Sequence, residues 1–245
     1  MTVYDVVTAQ TAHARMKVAI APFDNQKLRQ ALLAATDHQK LLELAYFGRG
    51  APGEDHAVAP IHPEYFALPV QKQDYDKAKA LLSEAGHAGG IQLSLDVNNS
   101  SAWEGAAAEA WKAQLAPAGI DLQLNVMPGA QYWDIWTQTP FGLTTWTHRP
   151  LGVMVLNLAF RTGVPWNESG FADAKFDALL DDASATLDVN ERRKKMEGVE
   201  KYLQDQAVIM QPLWRSVFMA ASNKVKDIAA HPTAYHLWHK VWLDA

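Results

Sequence analysis

Apolar residues recur at spacings of three and four residues along several stretches of the chain, and this spacing predicts amphipathic helices. Most of these stretches follow an Asp, whose side chain can accept hydrogen bonds from the free backbone N–H groups at a helix start. The predicted capping residues are Asp24, Asp37, Asp74 or Asp76, Asp173 and Asp188. An Ala-rich helix is expected over residues 103–116, and the last two helices over about residues 171–184 and 189–206.

Strict alternation of apolar and polar residues predicts half-buried strands at residues 91–97 and 120–126. The Ala-rich helix lies between them, so this unit is expected to be a parallel crossover. Shorter apolar and β-branched segments predict further strands at residues 3–7, 16–19, 141–147, 208–213 and 217–221. Residues 48–73 are rich in Gly, Pro and His and predict a long loop. This order of elements predicts an α/β fold with a mixed sheet and flanking helices.

The composition is that of a soluble globular protein. Of 245 residues, 49% are hydrophobic and 20% are charged, and the net charge is -5. Because no long Lys/Arg run is present, we expect no nucleic-acid partner. The chain contains no Cys, which excludes a disulfide scaffold, a thiol nucleophile and a thiolate metal site.

The first residues lack the features of a signal peptide. Asp5, Gln10 and His13 interrupt any apolar segment, and no basic segment precedes it. The longest apolar stretch, residues 151–160, is too short to span a bilayer. The chain is therefore expected to be cytosolic or to start within a longer protein.

No established catalytic motif is present. The glycine-rich residues 48–53 lack the Lys-Ser/Thr that a phosphate-binding loop needs. We expect no cofactor and no metal site, and no enzymatic activity. The alternative is a small hydrolase or metal-dependent enzyme that uses His148 or the His231, His236 and His239 cluster, although no nearby carboxylate supports a metal there.

Two tryptophans point to a ligand site. Trp103 and Trp146 each fall where a predicted strand end meets a neighbouring segment, among small polar residues that include Asn98 and Asn99. Ligand crevices of α/β sheets lie at strand ends of this kind. His148 and Arg149 follow directly, and a cation beside an aromatic can anchor an anionic or planar ligand. The alternative for Arg149 is an internal salt bridge that holds the loop.

Three sequence signatures occur in a fixed order: PFDNQKLRQALLAATD, DYDKAKALLSEAG and WNESGFADAKFDALLDDASATLDVNERR, which begin at residues 22, 74 and 166. In this order they resemble the C-terminal half of the family 5 extracellular solute-binding proteins, the dipeptide, oligopeptide and nickel receptors of ABC importers. The resemblance runs from about Met16 to the C-terminus. It implies one lobe of a two-lobed, type II periplasmic-binding-protein-like fold.

The resemblance also implies a domain division and a cellular role. Residues 1–20 would be a hinge strand returning from a missing first lobe, 21–217 the second ligand-binding lobe, and 218–245 a segment returning to the first lobe. The protein would be a periplasmic receptor that holds a peptide-like or other small polar solute between two lobes and delivers it to an ABC permease. Its signal peptide would have been lost with the missing N-terminal half. The uncovered apolar face of the isolated lobe predicts self-association.

The chain departs from dipeptide receptors at two positions. Those receptors resemble this chain at the strand ending in Trp146, but an Asp follows there to pair with the amino terminus of the ligand. Arg149 stands where that Asp is expected. Their Arg for the ligand carboxylate has no counterpart near Gly105 and Ala106. A free dipeptide is therefore not the expected solute, and Arg149 is expected to select an acidic or acceptor group.

Overall fold

The computed structural model of the protein describes residues 1–244. The strands are β1 (Thr2–Val7), β2 (Thr11–Met16), β3 (Gly50–Pro52), β4 (Ile91–Asn98), β5 (Ile120–Met127), β6 (Phe141–Trp146), β7 (Ile209–Met210), β8 (Leu213–Ala221), β9 (Val225–Lys226) and β10 (Trp242–Leu243). The α-helices are α1 (Gln26–Ala34), α2 (His38–Tyr46), α3 (Tyr75–Glu84), α4 (Ala102–Leu115), α5 (Gly129–Ile135), α6 (Gly152–Ala159), α7 (Ala174–Ala185) and α8 (Val189–Gln206).

The central sheet is mixed, as the order of elements predicted. Its strand order is β5-β4-β6-β2-β7. Strand β4 is parallel to β5 and β6, whereas β2 is antiparallel to β6 and β7. The α/β fold and the parallel β4–α4–β5 unit are therefore confirmed. The carboxyl ends of β4 and β6 lie at the same edge of the sheet because these strands are parallel.

Four of the predicted helix caps are present. The carboxylates of Asp37, Asp74, Asp173 and Asp188 accept backbone N–H bonds at the starts of α2, α3, α7 and α8. The cap predicted at Asp24 is wrong, because the side chain of Asn25 accepts the N–H of Lys27 instead. An Asn side chain fills this role as well as an Asp does.

The strand expected at residues 16–19 lies earlier in the chain. Strand β2 ends at Met16, and the backbone then turns toward α1. All six residues of β2 are buried, since it runs between β6 and β7 in the sheet. The expected long loop at residues 48–73 also contains β3, which pairs with β8.

A second, antiparallel sheet has the order β1-β8-β3. Strand β1 pairs with β8 from Thr2 opposite Ala221 to Val7 opposite Ser216. Residues 2–7 and 216–221 therefore run side by side away from the central sheet.

Hydrophobic clusters cover both faces of the central sheet. One cluster joins α1–α4 to residues of β2, β4, β5 and β6, and includes Ala14, Leu95, Trp111 and Leu143. The other joins α6–α8 to Trp146 at the end of β6. Within residues 1–244, the structure contains no helix that is both long enough and apolar enough to cross a membrane.

Candidate ligand-binding site

An open cavity of about 300 Å³ lies at the carboxyl end of β6. It is lined by aromatic rings, threonines and one cation: Trp133, Trp136, Thr144, Thr145, Trp146, Thr147, Arg149 and Trp166. Large aromatic surface beside a few polar groups is the usual composition of a small-molecule site. The cavity is therefore the candidate ligand-binding site.

Four indole rings form a continuous wall of the cavity. Ring centroids lie 5.7 Å apart for Trp133 and Trp136, 6.3 Å for Trp136 and Trp166, and 6.1 Å for Trp146 and Trp166, with edge-to-face angles of 70–71°. Trp146 is 5% exposed, whereas Trp133 and Trp166 are 43% and 45% exposed. Two tryptophans thus present large apolar surfaces to solvent, and burying such surface is favourable for an incoming ligand.

A buried carboxylate holds the innermost ring in place. Glu168, in the segment between α6 and α7, accepts the indole N–H of Trp146 at 3.0 Å. Its other oxygen accepts the hydroxyl of Thr144 and forms a 3.0 Å ion pair with Nε of Arg15. The hydroxyl of Thr144 also forms a 2.6 Å hydrogen bond with the hydroxyl of Tyr132, in the middle of α5.

The same ion pair supports a second part of the wall. The terminal nitrogens of Arg15 donate to the backbone carbonyls of Trp136 and Thr139, at the carboxyl end of α5. One Arg–Glu pair therefore joins β2, β6, the segment after α5 and the segment before α7. Such a network fixes Trp136 and Trp146 relative to each other before any ligand binds, which lowers the entropic cost of binding.

Burial has the largest effect on the pKa values of Glu168 and His13, two ionisable side chains behind the tryptophan wall. It raises the pKa of Glu168, and the nearby Arg15 guanidinium opposes this rise. The ring of His13 stacks on Trp146 with centroids 5.8 Å apart, and burial lowers the pKa of His13 to about 3. His13 is therefore neutral at physiological pH and acts as part of the apolar support for Trp146.

Arg149 brings a positive charge to the rim of the cavity. Its guanidinium donates to the hydroxyl of Thr147 at 2.6 Å and to the carbonyls of Thr147 and His148 at 3.3 and 3.2 Å. None of its partners within residues 1–244 is a carboxylate. The internal salt bridge that the sequence left open is thus not formed within that range, and the cation can meet an acceptor group of a ligand.

The other predicted site residues lie nearby but do not line this cavity. Nδ1 of His148 accepts the backbone N–H of Ala9 at 3.1 Å, which ties the β6 end to the start of β2. Asn98 is buried at the end of β4, and its side chain accepts the N–H of Ser100 at 2.8 Å. Asn99 is exposed beside it, and its N–H donates to Met127. Asn98 therefore shapes the strand end.

Trp103 is separated from Trp146. It is 7% exposed in the first turn of α4 and packs edge-on against Tyr46 at 6.0 Å between ring centroids. The neighbouring Glu104 accepts the hydroxyl of Thr145, so the start of α4 still contacts the end of β6. Trp103 belongs to the core cluster on the α1–α4 face, because its ring points toward α2.

The three C-terminal histidines do not converge. Nδ1 of His231 bonds the hydroxyl of Thr233 at 2.8 Å, and His236 packs on Trp238. Across residues 1–244, no group of three or more His, Asp or Glu side chains is arranged to hold a metal ion. The metal-dependent alternative therefore lacks its geometric requirement in this part of the chain.

Sequence reasoning missed several residues of the cavity. Trp133 lies in α5 and Trp136 directly follows that helix, and both line the cavity. Trp166 and Glu168 lay inside a family signature and received no role of their own. The available signal was the density of tryptophans on both sides of β6, at positions 133, 136, 146 and 166.

Comparison with known proteins gives the chain its family. Residues 1–150 match the family described as bacterial extracellular solute-binding proteins, family 5 Middle. Heme-binding protein A of Haemophilus influenzae is 28% identical over 238 residues, which are 91% of this chain and 43% of that protein. Glutathione-binding protein GsiB of Pectobacterium atrosepticum is 31% identical over 118 residues, covering 47% of this chain and 22% of that protein.

Solved structures share the fold. HbpA2 from Haemophilus parasuis superposes with a TM-score of 0.86 at 24% identity, over 100% of this chain and 50% of that chain. The oligopeptide-binding protein AppA from Bacillus subtilis, in complex with a nonapeptide, gives a TM-score of 0.82 at 17% identity, over 100% and 52%. The chain spans about half the length of these proteins. With more than half of its residues matched, the chain belongs to the family 5 bacterial extracellular solute-binding proteins.

Proposed function

We propose that this chain is the ligand-binding lobe of the substrate-binding component of an ABC importer, and that it captures a peptide-like or other small polar solute. The observation that carries the proposal is the tryptophan-walled cavity at the end of β6, with Arg149 at its rim. The wall supplies apolar surface and the guanidinium supplies a directed positive charge. A ligand that carries both a flat or aliphatic group and an anionic or acceptor group fits this combination.

The relatives support the class of function. Their names describe binding of heme and glutathione, and AppA is complexed with a peptide. Under the same proposal, this chain binds its solute in the periplasm without converting it. It then works with an ABC permease, which receives the solute. The specific solute differs from a free dipeptide because Arg149 replaces the expected carboxylate.

The domain division stays part of the proposal. Residues 21–217 would form the ligand-binding lobe, while residues 1–20 and 218–245 would lead to a first lobe. Pairing of β1 with β8 supports a shared path of the two terminal segments toward a first lobe. Strand β2 also lies within residues 1–20 but is a buried strand of the central sheet, so we place the first boundary between β1 and β2. Exposed Trp238, Trp242 and Leu243 in the C-terminal segment support self-association of the isolated lobe, which light scattering over a range of concentrations would test.

The test is calorimetry on the product of the complete reading frame that contains this chain. The titrants are glutathione, hemin and the peptide Ser-Thr-Ser-Ala. The names of relatives supply the first two, and the peptide is bound in the solved structure of a periplasmic binding protein with the same fold. Mass spectrometry of the recovered titrant checks for conversion. We expect saturable binding of at least one titrant, recovered unchanged. Chemical conversion of a bound solute, or binding that persists after the cavity is filled with larger side chains, would contradict the proposal.

A further inference from the structure

A second group of ionisable side chains lies buried away from the aromatic cavity. Glu54 and His56 belong to the segment between β3 and α3, and Glu200 lies in the middle of α8. The side chains of His56 and Glu200 are 0% exposed, and that of Glu54 is 15% exposed. Buried ionisable groups are costly unless they are paired or neutralised, so their arrangement calls for a physical account.

Three polar atoms of this group converge without completing a hydrogen bond. Nε2 of His56 lies 3.7 Å from Oε2 of Glu200 and 3.9 Å from Oε2 of Glu54. Each of these three atoms is buried and has no hydrogen-bond partner among residues 1–244. The opposite oxygens are satisfied: Glu54 accepts the hydroxyl of Tyr65 at 2.9 Å, and Glu200 accepts the N–H of Phe66 at 3.2 Å.

The charges of the group are set mainly by burial. Burial raises the pKa of Glu200 to about 9, with a smaller contribution from the Glu54 and Glu64 carboxylates. Burial also raises the pKa of Glu54 to about 7 and lowers the pKa of His56 to about 3. At neutral pH the site therefore contains a protonated Glu200 next to a neutral His56, rather than an ion pair.

The surrounding elements bring further titratable groups to this site. They are His38 from α2, Asp55, His62, Glu64 and Tyr65 from the same segment, and His148 from the end of β6. Asp55 is already paired, with one oxygen 3.0 Å from Nε2 of His38 and 2.8 Å from the N–H of Gln211. His62 is neutral, since burial lowers its pKa to about 4.

The same segment holds the backbone that carries Arg149. Nε2 of His62 bonds the carbonyl of Arg149 at 2.9 Å, and Glu64 accepts the N–H of Val153 at 3.1 Å, at the start of α6. Residues 54–66 are thus fastened to α8 on one side and to residues 149–153 on the other. Hydrogen bonds therefore connect Glu200, through residues 54–66, to the backbone at the rim of the aromatic cavity.

We propose that Glu200 is a proton-dependent latch: it holds residues 54–66 on α8 by accepting the N–H of Phe66, with Glu54 and His56 packed beside it, and thereby fixes the backbone of residues 149–153. The latch is closed while Glu200 carries its proton. Loss of that proton places an uncompensated carboxylate beside Glu54 and Glu64, and the repulsion with its desolvation cost opens the segment. The proposal rests on contacts within this chain and does not depend on which solute binds.

The pH dependence has a definite sign. The pKa of Glu200 is raised above its unfolded value of 4.5, so its stabilising effect is complete below that pH and is lost as pH rises toward about 9. Buried His13, His56 and His62 act in the opposite direction, but only below their unfolded value of 6.5. Glu54, with a pKa of about 7, and His38, whose pKa the Asp55 carboxylate raises against the effect of burial, add to the loss of stability near pH 7. The effect of Glu200 is therefore measured as the difference between the wild type and a variant that cannot ionise at this position.

The test is urea unfolding of the wild type, Glu200→Gln and Glu197→Gln at pH 7, 8 and 9. Gln has the shape of a protonated Glu and cannot ionise, while Glu197 is an exposed residue of the same helix. We expect the folding constant of the wild type and of Glu197→Gln to fall by up to about tenfold per pH unit. The constant of Glu200→Gln should fall less steeply. Equal slopes for all three proteins would overturn the latch.

Amide hydrogen exchange of the wild type gives a second readout that needs no variant. After correction for the intrinsic rate, protection of Phe66 and Val153 should drop more between pH 7 and 9 than protection of Val97 in the core strand β4, which falls only with global stability. Unchanged protection of both amides relative to Val97 would likewise overturn the proposal.

Discussion

Nε of Arg15 lies 3.0 Å from Oε2 of Glu168, and both side chains are almost completely buried. This ion pair also accepts the indole N–H of Trp146 and donates to the carbonyl of Trp136. Two of the four cavity tryptophans are therefore positioned by one pair of charges. A buried ion pair adds little net stability by itself, but removing one partner leaves the other charge uncompensated.

Glu168→Gln should lower the free energy of unfolding by about 3–5 kcal/mol, because Arg15 would lose its only carboxylate partner within residues 1–244. Urea unfolding measures this. The matched control is Glu84→Gln, which breaks the exposed Lys27–Glu84 pair and should cost less than about 1 kcal/mol. Similar losses for the two variants would show that the buried pair has no special role.

His13→Phe should make the protein less sensitive to acid. Burial lowers the pKa of His13 to about 3, so the unfolded chain binds a proton there below pH 6.5 while the folded chain does not. Stability from this group is therefore lost as pH falls from 6.5 toward 3, and Phe removes that loss while keeping the stack on Trp146. Thermal unfolding at pH 7, 6 and 5 checks the slope against the exposed control His239→Phe. Parallel curves would contradict the assignment.

Gly142→Ala should destabilise the protein by about 1–3 kcal/mol through crowding beneath the cavity. A Cβ at Gly142 would lie 2.8 Å from the hydroxyl of Tyr132 and 3.3 Å from a terminal nitrogen of Arg15. Gly105→Ala in α4 meets no atom within 4 Å and should instead stabilise the helix by about 0.5–1 kcal/mol. Scanning calorimetry of both variants tests this. The melting temperature should fall for Gly142→Ala and rise for Gly105→Ala, and shifts in the same direction would contradict the prediction.

Local sequence chemistry predicted much of the fold. An Asp predicts a helix start because its side chain can accept hydrogen bonds from the free backbone N–H groups there. The helix caps at Asp37, Asp74, Asp173 and Asp188 were predicted correctly for this reason. Strands β4 and β5 alternate over most of their length, since each has one buried face; the exceptions lie at the strand ends, where Asn98 is buried and Val126 is exposed.

Strand β2 shows why the remainder was harder to predict. Its sequence TAHARM alternates polar and apolar residues, a pattern that normally marks a strand with one face in solvent. Here Thr11, His13 and Arg15 are buried too, because Glu168, about 150 residues further along the chain, supplies the partner for Arg15. No local sequence pattern predicts an ion-pair partner at that separation along the chain.

The candidate site was predicted in part for the same reason. Trp146 and Arg149 were predicted from their place at and just after the end of a strand, which is a local signal, and both line the cavity. Trp133, Trp136 and Trp166 come to the cavity from α5 and from the segment before α7, and their convergence depends on tertiary packing. Trp103 satisfied the same local rule as Trp146 but faces Tyr46 in the core.

The tryptophan-walled cavity and Arg149 are proposed to bind the solute. The most direct test is calorimetric titration of three variants with whichever of glutathione, hemin or Ser-Thr-Ser-Ala binds the wild type. Arg149→Met and Trp166→Ala should each raise Kd at least about tenfold, which is a loss of about 1.4 kcal/mol of binding free energy. Trp238→Ala, which removes an exposed tryptophan outside the cavity, should leave Kd unchanged. Wild-type affinity in both Arg149→Met and Trp166→Ala would contradict the account.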